Sequence, residues 1–202
     1  MVRAVVFDVG NVIVEWDVRG FYAQLIPDPA RLDWFCRDVV SPAWHFQHDA
    51  GRPFAETSAE LIARFPAEAE LIRLYGPRFN ETVPGPVPGM VEMVEQLAAR
   101  AVPLFAITNF SHEFWPSFRA EWPVFDHFAD IVVSGEERLT KPDPAIYQLA
   151  LRRFGLAPGE AIFIDDRAEN VAAAQANGFV GHHFANAERL AAELAGLGLL
   201  PQ

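Results

Sequence analysis

Short runs of apolar and β-branched residues alternate along most of the chain with segments in which apolar residues recur every three or four positions. Such runs are typical of strands buried on both faces of a sheet, and the recurring spacing is typical of helices with one apolar side. The predicted strands cover residues 4–7, 102–108, 131–134, 161–164 and 180–184. Because helices separate them, we predict an α/β fold whose core is a doubly wound, Rossmann-like parallel sheet.

Residues 18–82 break this alternation, since they carry only the helical spacing. A proline-rich link at residues 83–89 follows them directly. We therefore predict a helical insertion after the first strand that rejoins the sheet through a stiff hinge. The predicted organisation is a core domain of residues 1–17 and 83–202 with a small helical domain of residues 18–82.

Composition narrows the class of protein without naming a reaction. The 202 residues are 51% hydrophobic, and 27 Asp and Glu outweigh 16 Lys and Arg to give a net charge of −11. This acidity disfavours a nucleic-acid partner, which normally meets a basic surface. The single cysteine, Cys36, excludes an internal disulfide and is expected to be a packing residue.

The chain carries no pattern typical of a signal peptide and no apolar stretch of the ~20 residues that span a bilayer. We therefore expect a cytoplasmic protein without a membrane partner. The sequence leaves the oligomeric state open.

The carboxyl ends of the predicted strands carry polar residues that could share one site, because open α/β sheets bind ligands at this edge. Each residue has a simpler explanation as a turn residue or a helix cap. Their recurrence at successive strand ends favours a site instead. They are Asp8, Thr108, Asn109, Lys141, Asp165 and Asp166.

Three carboxylates in one crevice repel one another. At an effective dielectric constant near 20, each pair ~4 Å apart is unfavourable by about 4 kcal/mol. One lysine, Lys141, cannot neutralise all three, so either raised carboxyl pKa values or a bound cation is expected. Oxygen ligands of this kind suit Mg²⁺, which shares the oxygens of a substrate phosphate. The residues therefore predict a Mg²⁺-dependent phosphoryl site in which Asp8 is placed for in-line attack.

Four motifs on these strand ends resemble those of the haloacid dehalogenase-like hydrolases. They are Val-Val-Phe-Asp-Val-Gly-Asn-Val-Ile-Val at 5–14, Ile-Thr-Asn at 107–109, Lys-Pro at 141–142 and Phe-Ile-Asp-Asp at 163–166. Their order and spacing match over nearly the whole chain, and the helical insertion falls where that family has its cap domain. The resemblance implies the family's α/β core and hydrolysis through a nucleophilic aspartate.

The resemblance also implies a role for each matching position. Asp8 would be the nucleophile, and Lys141 would steady both the nucleophile and the phosphoryl charge. The implied phosphate ligands are Thr108, Asn109 and Lys141. The implied Mg²⁺ ligands are Asp8, the backbone carbonyl of Gly10, Asp165 and Asp166, with Asn170 bracing them.

Gly10 departs from the family's pattern. Most phosphatases of the family carry a second aspartate there as general acid and base, a group worth about 10²–10⁴-fold in rate. The same glycine, the run Asp-Val-Gly-Asn-Val at 8–12 and Phe-Trp-Pro at 114–116 resemble the branch that contains an α-glucose-1-phosphate phosphatase. A sugar phosphate is therefore a predicted substrate, because an anomeric phosphate leaves easily and needs less acid assistance.

Other side chains could replace the missing acid and base, although a structural role is the simpler expectation for each. The candidates are His45, His48, His112, Glu15 and Asp17.

The resemblance also implies that the insertion sets specificity by closing over the core. Trp44 and Phe46 offer an aromatic wall for a substrate, with the alternative that both form the insertion's own small core. The candidate specificity residues are Trp44, Phe46, His48 and His112.

We therefore predict a Mg²⁺-dependent phosphatase that hydrolyses a small phosphorylated metabolite through an aspartyl-phosphate intermediate. One alternative is a metal-independent 2-haloacid dehalogenase, which Asp165 and Asp166 disfavour. A phosphomutase is a second, but it would normally keep the carboxylate that Gly10 replaces. A third is a non-catalytic binding protein on the same fold.

Overall fold

A parallel sheet of five strands forms the centre of the computed structural model, which describes residues 1–201. The strands are β1 (Ala4–Phe7), β2 (Leu104–Thr108), β3 (Asp130–Val133), β4 (Ala161–Asp165) and β5 (Val180–His183). Their order across the sheet is β3-β2-β1-β4-β5. The predicted α/β fold is confirmed, and each strand ends within two residues of its predicted bounds.

The central strand β1 is buried on both faces. Successive side chains of a strand point to opposite sides of the sheet. Val5 and Phe7 join the apolar core on one side, and Ala4 and Val6 join the core on the other. The first polar side chain after this apolar strand is Asp8, so the end of the strand fixes where that carboxylate lies.

The segment from residue 18 to 82 consists of helices and turns. Its α-helices are α1 (Val18–Ala23), α2 (Pro29–Trp34), α3 (Pro42–Asp49), α4 (Phe54–Arg64) and α5 (Ala69–Leu74). Across this segment, all of which the structure describes, there is no strand. Its interior is aromatic, since the rings of Tyr22 and Trp44 both pack against that of Tyr75, with ring centroids 6.5 and 5.1 Å away.

Helices cover both faces of the sheet. The remaining α-helices are α6 (Met90–Ala99), α7 (Trp115–Glu121), α8 (Ser134–Glu137), α9 (Pro144–Phe154), α10 (Ala168–Ala176) and α11 (Ala187–Gly196). Leu97 of α6 and Leu190 of α11 pack into one core, and Ile146 of α9 and Ala174 of α10 pack into the other. This arrangement makes the sheet doubly wound, as predicted.

The start of α9 fixes the loop that carries Lys141. The Asp143 side chain accepts a hydrogen bond of 2.8 Å from the Ala145 N–H and caps the helix. Pro144 occupies the first helical position, where the missing N–H is not needed. Lys141 therefore lies three residues before a well-defined helix start.

Three hydrogen bonds that involve a side chain join the helical segment 18–82 to the residues that follow it. They run from Ser134 to the Asp49 carbonyl, from the Phe54 N–H to Glu113 and from Asn80 to Glu121, at 2.6 Å each. The first of them places the end of α3 next to the carboxyl edge of the sheet, because Ser134 directly follows β3.

None of the helices within residues 1–201 combines the length and the apolar content that crossing a bilayer requires.

Candidate active site

The carboxyl ends of β1, β2 and β4 meet at one edge of the sheet, where a cavity of about 170 Å³ opens. Of the positions that the resemblance assigns to the nucleophile, the phosphate site or the Mg²⁺ site, six line it: Asp8, Gly10, Asn109, Lys141, Asp166 and Asn170. Thr108 and Asp165 end β2 and β4, and both are fully buried outside this lining. The structure thus brings the strand-end residues together, with two of them beneath the surface of the cavity.

Lys141 lies between two carboxylates. Its Nζ is 2.8 Å from Asp8 Oδ1 and 2.8 Å from Asp165 Oδ2. The residue is only 2% exposed, so its charge has lost nearly all contact with solvent. Burial lowers the pKa of this amine, but the charges of Asp8 and Asp165 outweigh that effect and hold its pKa above the ordinary value. Lys141 is therefore a fixed positive charge in the floor of the cavity.

Asp165 is held from several directions. Asn170 donates hydrogen bonds of 3.0 and 3.1 Å to its two oxygens, and the Arg167 N–H donates one of 2.9 Å to Oδ1. Together with Lys141, these donors fix the orientation of the carboxylate. The bracing role expected of Asn170 thus corresponds to a direct contact with Asp165.

The three acidic residues form a cluster that suits a divalent cation. One carboxylate oxygen from each of Asp8, Asp165 and Asp166 lies within 4.8 Å of the others. Burial raises the pKa of Asp8, which Lys141 opposes and Asp165 reinforces, and burial followed by Asp165 also raises the pKa of Asp166. Three carboxylates facing one amine leave an excess of negative charge. Hard oxygen ligands with such an excess fit a divalent metal ion, which would relieve the repulsion.

One side of α3 faces the cavity. Pro42, His45, Phe46 and Asp49 line it, and their spacing of three, four and seven residues from Pro42 puts them on one helical face. Phe46 is 40% exposed at this position. Trp16, which follows the first motif, lines the cavity too and packs its ring 4.5 Å from that of His45.

Trp44 and His48 lie on another side of the same helix. The Trp44 indole N–H donates a hydrogen bond of 3.2 Å to the Thr57 carbonyl, and His48 Nε2 is 2.6 Å from Thr57 Oγ1. Both side chains are buried among the aromatic rings of the segment 18–82, outside the cavity's lining. Trp44 therefore matches the alternative in which it belongs to the insertion's own core, whereas Phe46 reaches the cavity.

The other candidates for the missing acid and base lie away from the lining. Glu15 is exposed, and Asp17 caps α1 by accepting a hydrogen bond of 2.7 Å from the Gly20 N–H. His112 is half-buried and also lies outside the lining. Of the five side chains considered, only His45 lines the cavity.

Asp49 and Trp16 are cavity residues that the reading of the sequence missed. The helical spacing from Pro42 was the available signal for Asp49, because a residue seven positions along a helix shares its face. Nothing comparable marks Trp16, whose place depends on the path of the chain after Asn11. Asn11 accepts a hydrogen bond of 3.2 Å from the Trp16 N–H and folds this stretch back.

Comparison with known proteins places these motifs in one family. Residues 2–178 match the sequence model of the family described as haloacid dehalogenase-like hydrolases. A sesquiterpene phosphatase from Aspergillus oryzae is 28% identical over 201 residues, covering 95% of this chain and 94% of that protein. The mouse acyl-CoA dehydrogenase family member 10 is 30% identical over 203 residues. That match covers 87% of this chain but only 17% of the mouse protein.

A solved structure supports the same fold. The magnesium complex of a HAD family enzyme from Bacteroides thetaiotaomicron superposes with a TM-score of 0.73. The match covers 96% of this chain and 98% of that one, at 18% sequence identity.

Proposed function

Because the match to the family model spans most of its length, the chain belongs to the haloacid dehalogenase-like hydrolases, and we propose that it is a Mg²⁺-dependent phosphatase acting on a small phosphorylated metabolite. The family predicted from the four motifs is thereby confirmed, and so is the prediction that the protein is a hydrolase. The resemblance to the branch with an α-glucose-1-phosphate phosphatase stays a prediction, and with it the sugar phosphate as the proposed substrate.

The observation that carries the proposal is the contact of Lys141 with Asp8. The Val9 N–H and Lys141 both donate to Asp8 Oδ1, at 2.7 and 2.8 Å. Two donors therefore hold this carboxylate at the carboxyl end of β1. An aspartate held in this way can act as an oriented nucleophile, and a fixed amine beside it can stabilise the charge of a phosphoryl group.

We assign the nucleophile to Asp8. Its carboxylate oxygen attacks phosphorus, and the bond to the leaving oxygen breaks with its electron pair going to that oxygen. The product is an aspartyl phosphate on Asp8. Water then attacks the same phosphorus, and the pair of the phosphorus–oxygen bond returns to the Asp8 carboxylate.

Mg²⁺ fits the acidic cluster described above. We propose that Asp8, Asp165, Asp166 and the backbone carbonyl of Gly10 hold it. When bound, the ion supplies positive charge to the phosphoryl oxygens. The phosphoryl group itself would be bound by Lys141, Asn109 and Thr108, of which the first two line the cavity.

We further propose that residues 18–82 act as a cap domain over a core of residues 1–17 and 83–202. Phe46 and Asp49 of α3 face the cavity that Asp8 and Lys141 line from below, which supports a substrate enclosed between the two parts. In this arrangement Phe46 contacts the substrate. Trp44, His48 and His112 lie outside the lining and affect specificity by supporting the residues that form the cavity wall.

The test is the hydrolysis of p-nitrophenyl phosphate by the purified protein, with Mg²⁺ and with EDTA, alongside Asp8→Asn. We expect release of p-nitrophenol that requires both Mg²⁺ and Asp8. Asp126→Asn, which removes an exposed carboxylate paired with Arg119, is the matched control and should keep the wild-type rate. Release that is unaffected by EDTA or by Asp8→Asn contradicts the proposal. Chloride release from 2-chloropropionate by a protein inactive on the ester would instead establish the dehalogenase alternative.

A further inference from the structure

Asp49 lines the cavity and has a buried carboxyl group, one oxygen of which has no hydrogen-bond partner in the described part of the chain. The residue is 5% exposed, and it shares the lining with Asp8 and Lys141. Its Oδ1 has no hydrogen-bond partner among residues 1–201. A buried polar atom without a partner is unfavourable, so its presence at the cavity needs an explanation other than stability.

The backbone of Asp49 is fixed to the core. Its carbonyl accepts the 2.6 Å hydrogen bond from Ser134, the first residue after β3. Two residues later, Gly51 has a φ of +87°, and a Cβ there would meet the Gly135 carbonyl oxygen at 3.0 Å. Close packing of these two backbones therefore holds the end of α3 against the carboxyl edge of the sheet, where Asp49 lines the cavity.

Of the three linked side chains His45, Tyr75 and Asp49, only Asp49 is able to exchange a proton near neutral pH. Asp8, whose pKa burial raises to about 8, lies in the same cavity and is the proposed nucleophile. His45 Nε2 lies 3.4 Å from Asp49 Oδ2, and His45 Nδ1 lies 2.6 Å from the Tyr75 hydroxyl. Burial lowers the pKa of His45 to about 3 and holds the pKa of Tyr75 well above its ordinary value. Burial raises the pKa of Asp49 to about 7, which the charge of Lys141 opposes. A general acid and base works best with a pKa near the operating pH.

Position 10 has room for a side chain but carries a glycine. Gly10 lines the same cavity, and a Cβ built on it has no heavy atom of residues 1–201 within 4 Å apart from those of Gly10 and its two chain neighbours. A side chain would fit there, but the sequence provides none. The chemistry of a phosphoester still requires a proton on the leaving oxygen and a base for the attacking water.

We propose that Asp49, on α3, is the general acid and base of the reaction, taking the role that Gly10 cannot perform. This inference rests on the proposed phosphatase function. In the first step the Asp49 carboxyl gives its proton to the leaving oxygen as the bond between that oxygen and phosphorus breaks. In the second step the Asp49 carboxylate takes a proton from the water that attacks the aspartyl phosphate, which restores the starting state.

A pair of esters separates this role from a structural one. Wild-type kcat/KM should change little between p-nitrophenyl phosphate, whose leaving group needs no proton, and benzyl phosphate, whose leaving group needs one. Asp49→Asn keeps the shape of the side chain but cannot donate a proton. We expect its kcat/KM on benzyl phosphate to fall by about 10²–10⁴-fold, with a much smaller loss on p-nitrophenyl phosphate.

Rapid mixing tests the second step. With p-nitrophenyl phosphate, Asp49→Asn should release a burst of p-nitrophenol approaching one per site, followed by slow turnover, because the aspartyl phosphate forms but water lacks its base. Adding Gly10→Asp to Asp49→Asn should restore turnover by tenfold or more, since the new carboxylate enters the same cavity. Asp38→Asn, at an exposed carboxylate paired with Arg37, should behave as wild type.

Two results would overturn the assignment in an active enzyme. One is wild-type activity of Asp49→Asn on benzyl phosphate. The other is an equal loss on both esters without a burst and without rescue, which indicates a structural role. If Asp49→Asn does not fold, the wild-type protein alone still tests the assignment. A large fall in its kcat/KM from p-nitrophenyl phosphate to benzyl phosphate contradicts the presence of a general acid in the site. A wild-type protein inactive on both esters contradicts the phosphatase function itself.

Discussion

Asn109 and Lys141 are joined by two reciprocal hydrogen bonds. The Asn109 amide donates to the Lys141 carbonyl at 3.0 Å, and its oxygen accepts from the Lys141 N–H at 2.8 Å. The loop after β2 is thereby fixed to the loop before α9, two segments 32 residues apart in the chain. We infer that Asn109 contributes to the site by setting the position of Lys141, besides any contact with the phosphoryl group.

Lys141 is the only lysine in the 202-residue sequence, since the other 15 of its 16 basic residues are arginines. A compact ammonium fits between Asp8 and Asp165, whereas a planar guanidinium needs more room. We expect Lys141→Arg to lower the free energy of unfolding by about 1–3 kcal/mol through overpacking. Lys141→Met should lower it by about 3–5 kcal/mol, because two buried carboxylates lose their partner.

Both variants should lose activity on p-nitrophenyl phosphate, by about 10²–10³-fold for Lys141→Met. Urea unfolding in EDTA and initial rates in Mg²⁺ measure the two effects separately. Arg100→Lys, at an exposed side chain that donates a hydrogen bond to the Leu199 carbonyl, is a control for exchanging the two basic residues. An active and fully stable Lys141→Arg would show that the size of the cation at this position is unimportant.

Metal binding should be visible without any substrate. A ligand that binds only the folded state at 100 times its Kd stabilises the protein by about 2.7 kcal/mol. We therefore expect Mg²⁺ to raise the free energy of unfolding of the wild-type protein, and Asp166→Asn to remove most of that gain. Asp126→Asn should respond to Mg²⁺ as the wild type does. An equal response in Asp166→Asn would place the ion elsewhere.

The strand ends could be predicted from the sequence because a buried parallel strand has a strong local signal. Four apolar residues followed at once by a charged one, as at Asp8, mark both the strand and the edge where it stops. Once the strands are parallel, their carboxyl ends must share an edge, so the sequence alone predicts that Asp8 and Asp165 lie together. The depth of each side chain was not predictable, because burial of Thr108 and Asp165 depends on packing from several elements.

The cavity residues of the segment 18–82 are harder to predict, since several aromatic and ionisable side chains crowd into a few positions. Trp44 and His48 attract attention by residue type, but they point into the segment's own interior. His45, Phe46 and Asp49 reach the cavity because the rotation of α3 puts them there, and that rotation is set by tertiary contacts such as the bond from Ser134 to Asp49. Residue type alone could not separate the two faces of the helix.

Truncation of two neighbouring aromatic residues should separate the faces of α3. Phe46 is 40% exposed at the cavity, so Phe46→Ala should leave the free energy of unfolding within about 0.5 kcal/mol of wild type. We expect it to raise KM, by about tenfold if 1.4 kcal/mol of substrate contact is lost. Trp44 is 5% exposed, and Trp44→Ala should lower the free energy of unfolding by about 3–5 kcal/mol. Thermal unfolding and steady-state kinetics of both variants test this, and an unchanged KM in Phe46→Ala would remove it from the substrate's surroundings.

The stability of the protein should report the titration of Asp49. Burial raises its pKa from the ordinary value of 3.8 to about 7, so the folded state favours the protonated carboxyl. The resulting stabilisation is complete below about pH 4 and is lost as pH rises towards 7, by up to about 1.4 kcal/mol per pH unit. Asp49→Asn has no proton to lose, so its free energy of unfolding minus that of wild type should increase over this range and then level off.

His45, Tyr75 and Lys141, which lie around Asp49, do not titrate within that window, whereas Asp8 in the same cavity has a pKa that burial raises to about 8. Burial keeps the pKa of His45 near 3, and the pKa values of Tyr75 and Lys141 stay above their ordinary values, so none changes charge between pH 4 and 7. Urea unfolding of wild type and Asp49→Asn in EDTA at several pH values gives the difference directly, with other titrating groups cancelling between the two proteins. A difference that stays flat from pH 4 to 8 would mean that Asp49 ionises as freely in the folded state as in water, and a carboxyl of that kind would be a poor proton donor to a leaving group at neutral pH.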